Sequence, residues 1–461
     1  MSRAYVHGLA IAGAATVRAL TARDYEVVVG DDLVDDERRR LAADLSVELL
    51  EQPDATTLRR VIRSCDVVSP SPGVPETHSV ITIAQSLGAD LASEIDLAYR
   101  WEQERDGGPR PMVAVTGTDG KTTTTLLAVA MLRSAGLNTV DAGNTSTPLV
   151  DAIDMDLDAF VVECTSFRLA WTPTFRADAA AWLNLAPDHL NWHRSMDSYE
   201  AAKARIWANQ TSDDVAVGFV DDPVVLRRLR ESTARQVTFG ASGADYHVTD
   251  GRLTGPTGPI IELSAMQRSL PHDVTNALAA AALVIETGLA SPDAVATALA
   301  SFSGPPHRLE HLGTWGGVAW YNDSKATTPH AAVAAIRSFE HLVLIAGGYD
   351  KGVDLTSMAV DIGAIDAVIG IGDTAPSIAA AFSGVGVVEV VDALPAAVER
   401  AARLARPGAT VLLSPGCASF DQYDGFEARG DHFRSLVLDR FGDDPSADQT
   451  SDRTSDQKGP R

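Results

Sequence analysis

An α/β architecture, built largely on parallel sheets in three successive domains, is what this sequence predicts. Three observations carry that expectation. A short apolar run, Met112 to Val115, stops at a glycine-bearing turn and gives way to apolar residues at helical spacing, Leu126, Leu127, Val129, Ala130 and Leu132. The same alternation of strand-like and helix-like stretches recurs on both sides of it. Finally, 461 residues make about three domains of ordinary size, and 45% hydrophobic residues give each of them a core.

Taken in order, the first domain spans residues 1–107. Ala4 to His7 reads as a strand, Gly8 to Gly13 as a glycine-bearing turn, and a helix follows to about Arg23. Tyr25 to Val29 is a second strand, closed by Gly30-Asp31-Asp32. An acidic residue at that point is where dinucleotide folds often contact a ribose or base, but the glycine pattern is incomplete, and a tight turn without a ligand fits equally well. Cys65 to Val68 is another strand, running into Ser69-Pro70-Ser71-Pro72-Gly73-Val74-Pro75. Such a rigid loop is either a stiff connector or part of the ligand edge of an open sheet. A helix over about Glu94 to Arg105 ends in a Gly/Pro-rich linker.

The second domain, residues 108–303, opens on Thr116-Gly117-Thr118-Asp119-Gly120-Lys121-Thr122-Thr123. A glycine turn between a strand and a helix N-terminus presents backbone N–H groups and favourable partial charge to an anion. Lys121 is placed to reach terminal phosphates and Thr122 to ligate Mg²⁺. The wider glycine spacing of many phosphate loops is missing, since Val115 stands where they have glycine. Ala159 to Cys164 is a strand delivering Glu163, followed by Thr165 and Arg168, and Ala179 to Leu183 leads to Asn184, Asp188 and His189. A carboxylate and an imidazole at strand ends beside a phosphate loop suit a metal role. A helix over Met196 to Asn209 carries Lys203, residues 246–264 read as a hairpin, and helices follow at Asp273 and Pro292.

The third domain, residues 304–441, starts near His307-Arg308-Leu309-Glu310 and passes through a hairpin at Trp315-Gly316-Gly317. Strands at His341 to Ala346, Ala367 to Ile371, Val387 to Val391 and Thr410 to Leu413 alternate with helices. Residues 442–461 turn polar and are expected to be a disordered tail.

A formal net charge of −24 disfavours nucleic acid and anionic membranes as partners. Three scattered cysteines, Cys65, Cys164 and Cys417, imply neither a disulfide framework nor a metal site. No apolar run reaches spanning length and no cleavable leader is read at the start, so a cytoplasmic protein is expected.

Five strings together resemble the Mur ligase family, the ATP-dependent amide ligases of peptidoglycan precursor synthesis. They are Thr116 to Thr123, Ala201-Ala-Lys-Ala-Arg-Ile206, His307 to Glu310, Asn322-Asp-Ser-Lys-Ala-Thr327, and Ser414 to Tyr423. The last, with Phe426-Glu-Ala-Arg-Gly430 and the Ser71 to Val74 loop, is most similar to the branch that adds D-glutamate. The resemblance implies a Rossmann-like N-terminal domain for the UDP-sugar, a central P-loop ATPase domain and a Rossmann-like C-terminal domain for the amino acid. It implies that ATP phosphorylates the carboxylate of UDP-N-acetylmuramoyl-L-alanine and that the D-glutamate amine attacks the acyl phosphate. Another member of the family, folylpolyglutamate synthetase, and a non-catalytic nucleotide-binding protein are the alternatives.

By the same resemblance, Gly117, Thr118, Asp119, Gly120, Lys121, Thr122, Thr123, Asp273, Asn276, Arg308 and Asp323 contact ATP. Thr122, Glu163, His189 and a CO₂-derived carbamate on Lys203 serve two Mg²⁺ ions, and Lys325 stabilises the transferring phosphate. An ordinary solvated helix lysine is the other reading of Lys203. Asp31, Ser71, Gly73, Asn144, Thr165 and Arg168 match the UDP-sugar site; Thr327, Lys351, Ser419 and Phe426 match the D-glutamate pocket. A monomer is expected. Four positions depart from the family pattern: Asp119, Asp273, Arg168 and Asp424.

Overall fold

The computed structural model describes residues 2–442; the expected tail at 442–461 lies outside the described residues but for Gly442. The chain divides into two compact units, residues 1–302 and 303–461. Among the described residues, the first holds two separate sheets and the second holds one.

The N-terminal sheet has four parallel strands in the order Glu48–Glu51, Glu26–Asp31, Arg3–His7, Val67–Pro70. The first strand therefore has later strands on both sides, which opens a crevice at its C-terminal end. Strand Arg3–His7 is buried on both faces from Ala4 onward, Ala4 and Val6 in one apolar cluster and Tyr5 in another, as suits a parallel sheet.

The central sheet has nine strands, ordered Gly258–Glu262, Arg252–Gly255, Tyr246–Thr249, Arg235–Gly240, Val215–Phe219, Ala179–Trp182, Met112–Thr116, Ala159–Glu163, Thr139–Gly143. All pairings are parallel except those of the final three strands in sequence, which form an antiparallel meander. The hairpin expected over 246–264 is thus three strands, because Gly258 turns the chain back once more at φ +118°. Strand Met112–Thr116, seventh of the nine, lies between Ala179–Trp182 and Ala159–Glu163 with every residue buried, and helix Lys121–Ser134 packs against helix Pro271–Glu286. That second helix carries five alanines and buries Ala277 to Val284 without a break, so the two helix backbones approach closely.

The second unit has six strands, ordered Glu310–Trp315, Val318–Asn322, Thr410–Leu413, Leu342–Gly347, Ile365–Ile371, Val388–Val390. Among these six strands, only the hairpin through Gly316 and Gly317 pairs antiparallel. Among the described residues, no helix is long and apolar enough to cross a membrane.

Candidate active site at the phosphate loop

The loop from Gly117 to Gly120 joins strand Met112–Thr116 to helix Lys121–Ser134. Gly120 takes φ +82°, and a side chain there would meet the Asn276 carboxamide at 2.5 Å, so the position requires glycine twice over. Asn276, expected at the adenine, sits against this turn and accepts from the Thr124 hydroxyl at 3.3 Å. Gly120, the N-cap residue, offers no side chain to cap the helix N-terminus. Asn184, unassigned by the sequence reading, braces the loop: its Oδ1 accepts the N–H groups of Thr118 and Asp119, each at 2.9 Å. Thr118 is buried, its hydroxyl 3.1 Å from that of Tyr199, while Asp119 is exposed.

Two lysines converge on one carbonyl. Lys121 Nζ donates to Gly117 O at 3.0 Å and Thr118 O at 2.9 Å, and Lys203 Nζ donates to Gly117 O at 2.6 Å. Lys203 is 1% exposed, which discards the solvated-lysine reading. Burial, reinforced by the charge on Lys121, holds its pKa well below the ordinary lysine value. Its ammonium also lies 4.7 Å from the centre of the Tyr199 ring.

Glu163 ends the neighbouring strand and is 2% exposed. One carboxylate oxygen accepts from Asn144 at 2.8 Å, but Oε2 is buried without a hydrogen-bond partner. An orphaned buried carboxylate oxygen has a large desolvation cost unless something cationic meets it, and a metal ion satisfies that demand. His189, half-buried, is held at φ +56° with its Nε2 3.3 Å from Asp188 and its ring edge-on to Phe167. Burial lowers its pKa; Asp188 opposes the shift and the two lysines add to it. Neutral imidazole is the form that ligates. Thr122 and Thr123 follow Lys121 in the first helical turn, half-buried and buried respectively. Asp273 lies away from the loop beside Phe302 and Leu127, ion-paired to Arg268 at 2.9 Å.

A second depression, of about 490 Å³, opens between the N-terminal sheet and residues 144–168. Asp31, Ser71, Gly73, Asn144 and Arg168 border it; Thr165 instead caps the short helix bearing Arg168. Arg168 is fixed by the buried Glu94 at 2.9 Å and by Asn144 at 2.7 Å. Glu94 escaped the sequence reading because its partner is 74 residues away. Asp31 is already engaged: its oxygens accept from Leu9 N at 2.6 Å and Leu33 N at 2.8 Å. Ser71 likewise spends its hydroxyl on Gly8 O at 2.5 Å.

In the second unit, Asp323 accepts from Leu309 N at 3.1 Å and Ser414 Oγ at 2.8 Å. Thr327 and Lys351 border a small cleft with Thr374 and Cys417, and Ser419 is buried on the adjoining loop. Lys325 is exposed, its ammonium 5.4 Å from the Phe426 ring, and Arg308 is half-buried. Arg429, quoted in its motif but given no role, is 1% exposed and ties these loops together. It donates to Ser324 O at 2.9 Å, Cys417 O at 3.1 Å and Ala418 O at 3.2 Å, and burial lowers its pKa to about 10. Gly430 has no side chain because the His307 ring occupies that space, 2.2 Å from where a Cβ would stand.

Two family models match: the Mur ligase middle domain over residues 115–284, and the Mur ligase glutamate ligase domain over residues 307–417. The chain is 38% identical to a UDP-N-acetylmuramoylalanine–D-glutamate ligase of Frankia casuarinae, over 95% of this chain and 94% of that one. This chain belongs to the Mur ligase family. A Streptomyces coelicolor relative of the same name is 35% identical over 94% of this chain and 97% of its own length. Among solved structures, the UDP-N-acetylmuramate–alanine ligase of Thermotoga maritima superposes with a TM-score of 0.55 at 18% identity, covering 95% of this chain and all of that one. A pseudomurein peptide ligase type C from Methanothermus fervidus superposes at 0.56 and 16% identity, with the same coverage. Both share the α/β fold.

Proposed function

We propose that this chain is an ATP-dependent ligase joining D-glutamate to UDP-N-acetylmuramoyl-L-alanine in the synthesis of peptidoglycan precursors. The observation that carries the reading is the pairing of a braced phosphate loop with two lysines and an orphaned Glu163 oxygen at adjacent strand ends. Near-full-length relatives bearing that activity in their names support it.

A carboxylate is a poor electrophile at neutral pH, so ATP first phosphorylates it, and the amino acid's amine then displaces phosphate to form the amide. Catalysis is mainly positioning and charge neutralisation. Lys121 and the N-terminal turn of helix Lys121–Ser134 hold the ATP phosphates, and Asn184 keeps the loop shaped to receive them. Thr122, Glu163 and His189 are the residues to hold Mg²⁺, which supplies charge neutralisation on the transferring phosphoryl group. Lys203 is suited to carbamylation: burial favours its neutral amine, the form that reacts with CO₂, and the carbamate brings an anion beside the metals. Arg168, held by Glu94, faces the diphosphate of the UDP-sugar, with Ser71, Gly73 and Asn144 shaping the cavity and Asp31 and Thr165 supporting its walls. In the second unit Arg308, Asp323 and Lys325 serve ATP, and Thr327, Lys351, Ser419 and Phe426 serve D-glutamate. A cytoplasmic monomer is the working form.

Supplying UDP-N-acetylmuramoyl-L-alanine with D-glutamate, L-glutamate or diaminopimelate separately, and measuring ADP release with product mass, tests the reading. Only D-glutamate is expected to give one amide per ADP. ADP release independent of the acceptor would overturn it.

A further inference from the structure

At the far wall of the 490 Å³ cavity, three side chains from three elements meet outside the phosphate-loop site. His7 ends the first strand, Asp32 follows the second, and His78 starts helix Ser79–Leu87. Their ligand atoms all lie within 4.8 Å of one another. His7 Nε2 and His78 Nε2 approach the same oxygen, Asp32 Oδ2, at 3.4 and 2.8 Å. The geometry points to a divalent transition-metal site formed by His7, Asp32 and His78, separate from the residues that serve Mg²⁺.

Three arguments support the assignment. A tetrahedral ion with bonds of about 2.0–2.1 Å holds its donors about 3.3 Å apart; the His7–Asp32 pair is already at that spacing, the His78–Asp32 pair needs to open slightly, and the two histidine donors lie within 4.8 Å of each other. Two imidazoles with one carboxylate suit zinc, cobalt or nickel, whereas Mg²⁺ prefers oxygen alone. His7 is 1% exposed and has the outer partner a ligating histidine needs: Tyr5 Oη lies 2.9 Å from Nδ1, able to accept its proton while Nε2 ligates.

His78 makes the concession. Its Nδ1 accepts from Val80 N at 3.2 Å, and ligation through Nε2 places a proton on Nδ1, so that long capping bond is given up. Its side chain is 22% exposed and that of Asp32 50%, which leaves both room to turn. With three protein donors, a fourth coordination position faces the cavity, where an anionic oxygen of a ligand or a water completes the shell.

Titrating the full-length protein with Co²⁺ in the absence of nucleotide tests this, because the visible bands of four-coordinate Co²⁺ are intense. One equivalent is expected to bind in the micromolar range. Binding is expected to weaken at least tenfold in both Asp32→Asn and His78→Gln, with unfolding midpoints measured to show that each variant folds. Glu163→Gln, which alters the phosphate-loop site, is expected to leave the bands unchanged. No band at millimolar Co²⁺, a band undiminished in Asp32→Asn and His78→Gln, or a band lost in Glu163→Gln would each overturn the assignment.

Discussion

Two strand–turn–helix units lie at the ligand edges of adjacent sheets, and they treat their turns in opposite ways. In the N-terminal unit the turn after His7 is met by a carboxylate of the chain itself: Asp31 accepts the Leu9 N–H at 2.6 Å and is ion-paired to Arg38 at 3.3 Å. In the central unit the turn after Thr116 is braced by a neutral carboxamide, Asn184, and faces two lysines. An internal anion at a helix N-terminus uses the favourable field that an external phosphate would need. A neutral brace shapes the loop and leaves that field for a ligand. Both units share the strand–glycine–helix pattern, and the difference lies in which side chain reaches back to fill the turn.

That contrast is breakable by substitution. The largest effect is expected at the central turn, where Lys121→Ala lowers kcat by about 10²- to 10³-fold, the scale for losing one charge-stabilising donor. Steady-state kinetics at saturating ATP measure it. Lys203→Ala is expected to lose comparable activity and to regain part of it with added short carboxylic acids. No recovery at any concentration would contradict the carbamate. Glu94→Ala leaves Arg168 buried without its ion pair and is expected to reduce unfolding free energy by about 3–5 kcal/mol in denaturant titrations.

Lys203 also carries a pH signature. Its folded pKa is depressed, so between that value and the ordinary lysine value the unfolded chain binds the extra proton. The unmodified lysine therefore penalises folding fully below this window, and the penalty fades as pH rises through it. In bicarbonate-free buffer, Lys203→Met is expected to unfold at a higher temperature than the parent near pH 7, with the gap closing towards pH 10. A gap that widens with pH would contradict the burial argument. The smallest effect is expected from Asp119→Asn. Removing one exposed negative charge beside the loop lowers the KM for ATP by up to about fivefold, since exposed charge interactions are worth at most about 1 kcal/mol.

The strands and the phosphate loop were legible because each is written locally, in an apolar run followed by glycines or in helical spacing. Met112 to Val115 and Ala179 to Leu183 fall within a residue of strands Met112–Thr116 and Ala179–Trp182. What connects them was not legible. Asn184 braces a loop 65 residues before it, Glu94 holds Arg168 from 74 residues away, and Arg429 reaches back 105 residues to Ser324. No spacing rule announces such pairs, because the fold alone brings them together. The commitment of Asp31 to Leu9 shows the same limit: the sequence marks an acidic residue at a ligand edge but not whether its oxygens are free. The meander at 246–262 was read as a hairpin because Gly258, the turn to its third strand, sits in a short polar stretch with little periodicity.

The claim on which the account rests is that ATP activates an acid by phosphorylating its carboxylate. Acceptor labelled with ¹⁸O in that carboxylate, turned over with ATP and D-glutamate, measures it by the mass of the released phosphate. One labelled oxygen per phosphate is the predicted result. Phosphate released without label while amide accumulates would contradict it.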